Sequence, residues 1–163
     1  MHVESTRLII DIRTYKPMTN FCYEYPRPAY TVDAAIIAKQ DRKVLLILRK
    51  HEPFAGKWAF PGGFMDMDET PEEAIIRELE EETHITGVQL KQFKTYGTLG
   101  RDPRGRTIST LFIGFVEHST DILPKGGDDA AQARWFSLNN IPDLAFDHSS
   151  IAQEVINYLN RIL

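Results

Sequence analysis

Residues 62 to 85, GGFMDMDETPEEAIIRELEEETHI, constrain this chain more than any other stretch. A glycine-rich turn leads into Thr70-Pro71-Glu72-Glu73, which reads as a capping box with proline at the first helical position. The helix it starts carries Glu78, Glu81 and Glu82. At about 100° per residue, positions i, i+3 and i+4 share a face, so these three carboxylates are crowded together. Nine acids lie between Asp66 and Glu82 against one base, Arg77. Such crowding destabilises a helix unless positive charge sits beside it. A bound divalent cation answers that field, and hard Mg²⁺ or Mn²⁺ suits a set of oxygen ligands. On the helical wheel Ile75, Ile76 and Leu79 form the apolar side and Glu73 pairs with Arg77. Glu78, Glu81 and Glu82 are turned roughly 90–120° from the apolar centre, toward a cleft or solvent.

The acidity is local. The whole chain carries −4, so with nine acids and one arginine set aside the remainder is positive. That argues for a specific electrostatic site rather than an acidic shell. At 163 residues one domain with a substantial core is expected. The single cysteine, Cys22, excludes an internal disulfide and a cysteine-built zinc site and fits a reducing cytosol. With no signal-peptide layout and no long apolar run, a soluble cytoplasmic protein without membrane contact is expected. Negative charge and the lack of a basic stripe speak against nucleic acid.

Residues 1–28 read as an extended arm, aromatic and proline-bearing toward its end, packed on the domain or on a second subunit. The domain proper spans 29–163. Residues 30–39 and 44–49 have strand character and form a hairpin around the turn at 41–43. The continuous apolar run in the second of them suits a strand covered on both faces. Residues 51–63 read as a loop with aromatic anchors. Residues 88–98 and 107–117 are two strands joined by the arginine-bearing loop 100–106. A polar loop at 121–130, a short strand at 133–137 and an amphipathic helix at 148–163 complete the order. Strands and helices in this sequence predict an α/β sandwich with a mixed central sheet.

Gly63, five residues, Glu69, seven residues, Arg77-Glu78-Leu79-Glu80-Glu81-Glu82 and then Ile85 resemble the signature of the Nudix hydrolases. One position departs, since His84 stands where that pattern has glycine. The glycine ends the helix, commonly in the left-handed conformation, and histidine can occupy it with modest strain. The resemblance implies a Nudix-type α/β/α sandwich. It implies metal binding by Glu78, Glu81, Glu82 and the Gly62 carbonyl, orientation of the cluster by Arg77, and support of the loop by Glu69. Mg²⁺, or Mn²⁺, would then activate water toward a diphosphate.

Further stretches, among them 26–29, 54–64, 100–109, 127–136 and 145–148, resemble the ADP-ribose pyrophosphatase branch. They also resemble the Nudix domains of NAD-metabolism repressors and adenylyltransferase fusions. The repressors carry a C-terminal winged helix, for which the roughly fifteen residues after His148 leave no room. Arg101, Arg104 and Arg106 would meet a diphosphate opposite the acidic helix; composition alone makes the same loop a good turn. Arg49 could reach a phosphate, and Phe54, Trp58 or Phe60 could stack on adenine or serve only to pack the loop. The general base is open between Glu81 and Asp128 or Asp129, and His148 reads either as catalytic or as a packing and capping residue.

The expected function is Mg²⁺-dependent cleavage of ADP-ribose to AMP and ribose 5-phosphate by a homodimer acting on small nucleoside diphosphate derivatives. The catalytic set is Glu81, Glu82, Arg77 and Asp128, and the substrate set is Arg49, Phe60, Arg101 and Arg104. The alternatives are a nucleoside triphosphate pyrophosphohydrolase, including one for oxidised nucleotides, and a non-catalytic ADP-ribose sensor.

Overall fold

A computed structural model describes residues 23–127 and 130–162. Most of the expected arm and Asp128 lie outside these residues. In chain order the elements are β1 (Ala29–Ala38), β2 (Lys43–Arg49), β3 (Trp58–Ala59), β4 (Gly62–Phe64), α1 (Pro71–Thr83), β5 (Leu90–Tyr96), β6 (Thr107–Val116), β7 (Ala130–Ser137) and α2 (His148–Ile162). The strands form one sheet with the path β3-β2-β1-β6-β5, to which β4 adds by pairing with β1 and β7 by pairing with β2. Its centre is the parallel pair β1–β6, running in unbroken register from Ala29↔Thr107 to Ala38↔Val116. The other pairings are antiparallel. The sheet is therefore mixed, as expected.

Strand alternation builds two cores. Val32, Ala34 and Ile36 of β1, Leu45 and Ile47 of β2 and Phe112 of β6 face one side, where α1 contributes Ala74, Ile75 and Leu79. Ala35, Ile37, Val44, Leu46, Leu111 and Ile113 face the other, covered by Ile151, Ala152, Val155 and Leu159 of α2. The apolar run of β2 is explained, since both of its faces are buried. On α2 the spacing Ile151, Val155, Leu159 is i, i+4, i+8, and each such buried side chain contributes about 1.5–3 kcal/mol.

The start of α1 follows its sequence. Thr70 accepts from the Glu73 N–H while the Glu73 carboxylate accepts from the Thr70 N–H, with Pro71 at the first turn. His84 takes the left-handed C-cap position at φ 58°, and its N–H donates to the Glu80 carbonyl.

Three expectations need correction and one is narrowed. Ile76 is 54% exposed, because the sheet meets α1 along Ala74, Ile75, Leu79, Glu82 and Thr83. Glu82 is accordingly 6% exposed, so of the two expected surroundings it faces the cleft and not solvent. Glu73 is engaged by the cap, and Arg77 turns instead to Glu69, Glu78 and Glu81. Finally, the loop around Pro61 contains two short strands, β3 and β4, which stitch it to β2 and β1.

Candidate active site

The glycine turn and α1 meet against the middle of β1. Gly62 lies opposite Asp33 in the β1–β4 register, and a Cβ on Gly62 would stand 2.1 Å from the Val32 carbonyl oxygen. Only glycine permits that approach. The turn is thereby pressed onto β1. The Gly62 N–H donates to Glu82 Oε2 at 2.8 Å. The Glu78 carboxylate lies over Gly63, within 2.6 Å of where a Cβ would stand.

Arg77 organises the rest of the acidic wall. Its guanidinium donates to both oxygens of Glu69 at 3.0 and 2.6 Å, to Glu78 at 2.7 Å, to Glu81 at 3.1 Å and to the Phe64 carbonyl at 3.1 Å. Glu69 also accepts from the Asp66 N–H, so the turn and the helix are tied through one carboxylate. These charge-assisted bonds hold the Arg77 guanidinium firmly protonated.

The deeper carboxylates remain electrostatically strained. Burial pushes Glu78 up from the ordinary carboxylate range, against the opposing pull of Arg77. Burial, reinforced by Glu78 and Asp33, pushes Glu82 up to about 8 despite the Gly62 hydrogen bond. Asp33 is itself buried at the cavity and accepts a short hydrogen bond from Ser109.

A cavity of about 350 Å³ opens between this wall and the loops around Phe54, Arg104 and Phe146. Its lining includes Asp33, Glu78 and Glu82 on one side and Arg49, Arg101, Arg104 and Phe146 on the other. Most of the residues singled out by sequence thus converge. Glu81 is outside that lining, on the exposed shoulder of α1, and is connected to the site by Arg77. Asp128 falls outside the described residues. Its neighbour Gly127 is bound to the end of α1, donating to the Glu82 carbonyl at 3.0 Å and accepting from Lys50 at 2.7 Å.

The cationic side differs from a set of waiting phosphate ligands. The Arg101 side chain is 5% exposed and held in two bonds by Asp147. Arg104 is gripped by buried Asp102 and lies over the rings of Phe64 and Phe146, 4.7 and 5.4 Å from their centres. Asp102 is held below the ordinary carboxylate range by Arg104 and Thr107, which outweigh its burial. Arg49 donates to the Pro53 and His51 carbonyls and lies 4.9 Å from the Phe146 ring centre. Phe60 borders the cavity but is 2% exposed and packed beside His148, which leaves its ring little face for stacking. The more open rings at the cavity are those of Phe64 and Phe146.

Sequence reading passed over Asp33, and it marked the stretches that hold Asp102, Phe146 and Asp147 without giving those residues a role. A signal existed for Asp33, as a lone acid in the otherwise apolar strand TVDAAIIA.

Among the described residues, no three acidic, cysteine or histidine side chains gather tightly enough to enclose an ion alone. Mg²⁺ sites commonly use one or two carboxylates and draw their remaining oxygens from phosphate and water. The buried Glu82 carboxylate, with one hydrogen bond and two acidic neighbours, suits that chemistry.

Carboxylates at helical spacing on α1, set against a glycine turn with the sheet between two helices, match the signature of a class of phosphoanhydride hydrolase. Residues 27–159 match the NUDIX domain family, and the chain belongs to it as a Nudix hydrolase. It is 43% identical over 139 residues to an ADP-ribose pyrophosphatase of Methanocaldococcus jannaschii, covering 83% of this chain and 78% of that protein. It is 34% identical to the ADPR responsive transcriptional repressor NtrR of Acinetobacter baylyi, over 85% of this chain and 57% of the repressor. Among solved structures, the NUDIX domain of Shewanella oneidensis NrtR complexed with ADP ribose superposes with a TM-score of 0.76 at 28% identity, over 86% of this chain and 94% of that one. Among the described residues no helix is long and apolar enough to cross a membrane.

Proposed function

We propose that this Nudix hydrolase is a Mg²⁺-dependent pyrophosphohydrolase that cleaves ADP-ribose to AMP and ribose 5-phosphate. The observation that carries this reading is one cavity with Glu78 and Glu82 on one wall and Arg49, Arg104 and Phe146 on the other. A diphosphate between two ribosyl groups needs both walls: donors and aromatic faces for its ends, and a cation-binding edge for its centre. The likeness to an ADP-ribose pyrophosphatase and to an ADP-ribose complex supports the substrate.

Glu78, Glu82, Glu81 and the Gly62 carbonyl would hold Mg²⁺, or Mn²⁺ in its place. When bound, the ion would offset phosphate charge, polarise a phosphoryl oxygen and lower the pKa of a coordinated water. Arg77 keeps Glu78 and Glu81 aimed by direct hydrogen bonds, and the Gly62 N–H keeps Glu82 in place. Water adds to one phosphorus, the bridging P–O bond breaks, and Glu81 or Asp128 takes the proton as general base. The protein acts as a cytoplasmic homodimer; sedimentation as a monomer at working concentration removes the dimer.

The direct test is incubation with ADP-ribose and Mg²⁺ and quantitation of AMP and ribose 5-phosphate. No AMP at micromolar enzyme overturns the reading. Pyrophosphate release from nucleoside triphosphates would favour the triphosphate alternative. A second reading, ADP-ribose sensing, draws on the repressor relative and predicts binding without turnover, although all three helix glutamates are present.

A further inference from the structure

Four consecutive residues, 145–148, touch each wall of the cavity. The Ala145 N–H donates to the Trp58 carbonyl at 2.8 Å. Phe146 adopts φ 53°, a left-handed conformation uncommon for residues with side chains. Its ring meets Arg49, Arg104 and Phe54. Asp147 accepts two hydrogen bonds from Arg101, at 2.9 and 2.8 Å. His148 Nδ1 accepts the Phe60 N–H at 3.2 Å, while its Nε2 lies 3.6 Å from Asp33 Oδ1.

The tautomer follows. With Nδ1 accepting, a neutral imidazole carries its proton on Nε2, directed at Asp33. Nδ1 is then engaged inside the protein, and Nε2 faces Asp33 at 3.6 Å, beyond hydrogen-bond length. Phe60 stands two residues ahead of Gly62, whose own N–H holds Glu82. Two adjacent side chains at the start of α2 therefore secure opposite halves of the site. Asp147 secures the arginine loop, and His148 secures the strand-loop that carries Gly62.

We propose that Asp147 and His148 are positioning residues that set the register between the cationic loop and the acidic helix. The inference rests on reading the cavity as the diphosphate site. A displacement of about 1 Å between the walls is enough to lower turnover substantially.

Nitrogen-15 NMR of the full chain without metal reads the tautomer, and amide exchange reads the Phe60 N–H. In the variants, His148→Asn places an acceptor near the position of Nδ1, whereas His148→Gln places its polar end nearer that of Nε2. The expected result is an unprotonated Nδ1 in the wild type. His148→Asn keeps Phe60 exchange slow and kcat within about threefold, while His148→Gln loses both, with kcat down about tenfold or more. Asp147→Asn loosens the arginine loop and lowers kcat about tenfold while also raising KM for ADP-ribose. A protonated Nδ1, equal behaviour of the Asn and Gln variants, or an Asp147→Asn variant with kcat unchanged overturns the proposal. Failure of the wild type to cleave ADP-ribose would count against the substrate reading instead, and the tautomer and exchange results would still decide this one.

Discussion

On the arginine side of the cavity, Arg101 meets Asp147 and Arg104 meets Asp102, each carboxylate matching the guanidinium edge. On the helix side, Arg77 alone is threaded among Glu69, Glu78 and Glu81, and Glu82 accepts a single bond from a backbone amide. In the first wall Arg101 and Arg104 are neutralised by their own carboxylates, and it presents fixed donors and ring faces with little reorganisation. The second keeps carboxylates crowded in a poorly solvated place, where their charged forms are disfavoured. One wall is thus finished by the fold, and the other is suited to completion by a cation. Pre-paired arginines aim the substrate, while under-compensated acids supply the edge where charge must be managed.

The largest effect expected from breaking this asymmetry is at Glu82. Replacing Glu82 with Gln should lower kcat/KM by about 10³-fold, the scale seen when charge stabilisation is removed from a transition state. The metal-free variant should unfold at an equal or higher temperature than wild type at pH 8. Burial penalises the charged carboxylate, and the amide escapes that penalty. Added Mg²⁺ should raise the melting temperature of wild type and leave the variant's nearly unchanged. A variant that melts well below wild type at pH 8 would mean that Glu82 is held by the fold rather than strained within it.

Arg77 comes next. Arg77→Gln removes the cation that balances the acidic wall and should reduce turnover by about 10²-fold, since it withdraws the orientation of Glu78 and Glu81. Its stability cost should be about 1–2 kcal/mol, because the exposed Glu81 end of the network is screened by solvent. Denaturant melts and steady-state rates at saturating Mg²⁺ check both numbers. If Arg77→Gln left kcat intact, the guanidinium would be a surface partner only.

How far the sequence reveals these two walls differs for a physical reason. The acidic wall is local: a capping box, a proline at the first turn and carboxylates at helical spacing are all within α1, so pattern reading places them. Even there the burial of Glu82 and exposure of Ile76 escape it, because the direction from which the sheet approaches a helix is set by tertiary packing. The left-handed cap at His84 was legible because the glycine it replaces in the pattern commonly takes that conformation. The other wall is assembled from Arg101, Asp102, Arg104, Phe146 and Asp147, which meet across turns of irregular backbone. An arginine in a loop shows its charge in sequence but not its partner. Phe60 illustrates the same gap, since an aromatic beside a Pro-Gly-Gly turn reads alike whether it faces the cavity or the core. The mixed sheet was readable from alternating strands and helices, whereas β3 and β4 were too short to register a period.

A smaller effect tests the finished wall. Asp102→Asn keeps the shape of the carboxylate but leaves Arg104 without its charged partner. The guanidinium should lose its fixed orientation over Phe64 and Phe146. KM should rise by about fivefold with kcat within about twofold, the signature of weakened ground-state and transition-state binding alike. Equal falls in kcat and kcat/KM would place Arg104 in the transition state and erase the proposed division of labour between the walls.

The smallest effect is a control outside the cavity. Asp41, in the β1–β2 turn, accepts from the Ser119 N–H and hydroxyl and contacts His118, and these hydrogen bonds hold its pKa down to about 2. Its contribution to stability is present above the unfolded value, near 3.8, and disappears as pH falls toward about 2. Glu82 titrates in the opposite sense. Its penalty is absent below the ordinary value of 4.5 and grows as pH rises to about 8. Melting temperatures of the metal-free protein across pH should therefore separate the two. Asp41→Asn should lower stability at neutral pH and flatten the acid limb between about pH 4 and 2. Glu82→Gln should leave that limb alone and lift the curve between about pH 5 and 8. If both variants altered the same limb, the contrast between a carboxylate stabilised by its neighbours and one strained by burial would not hold.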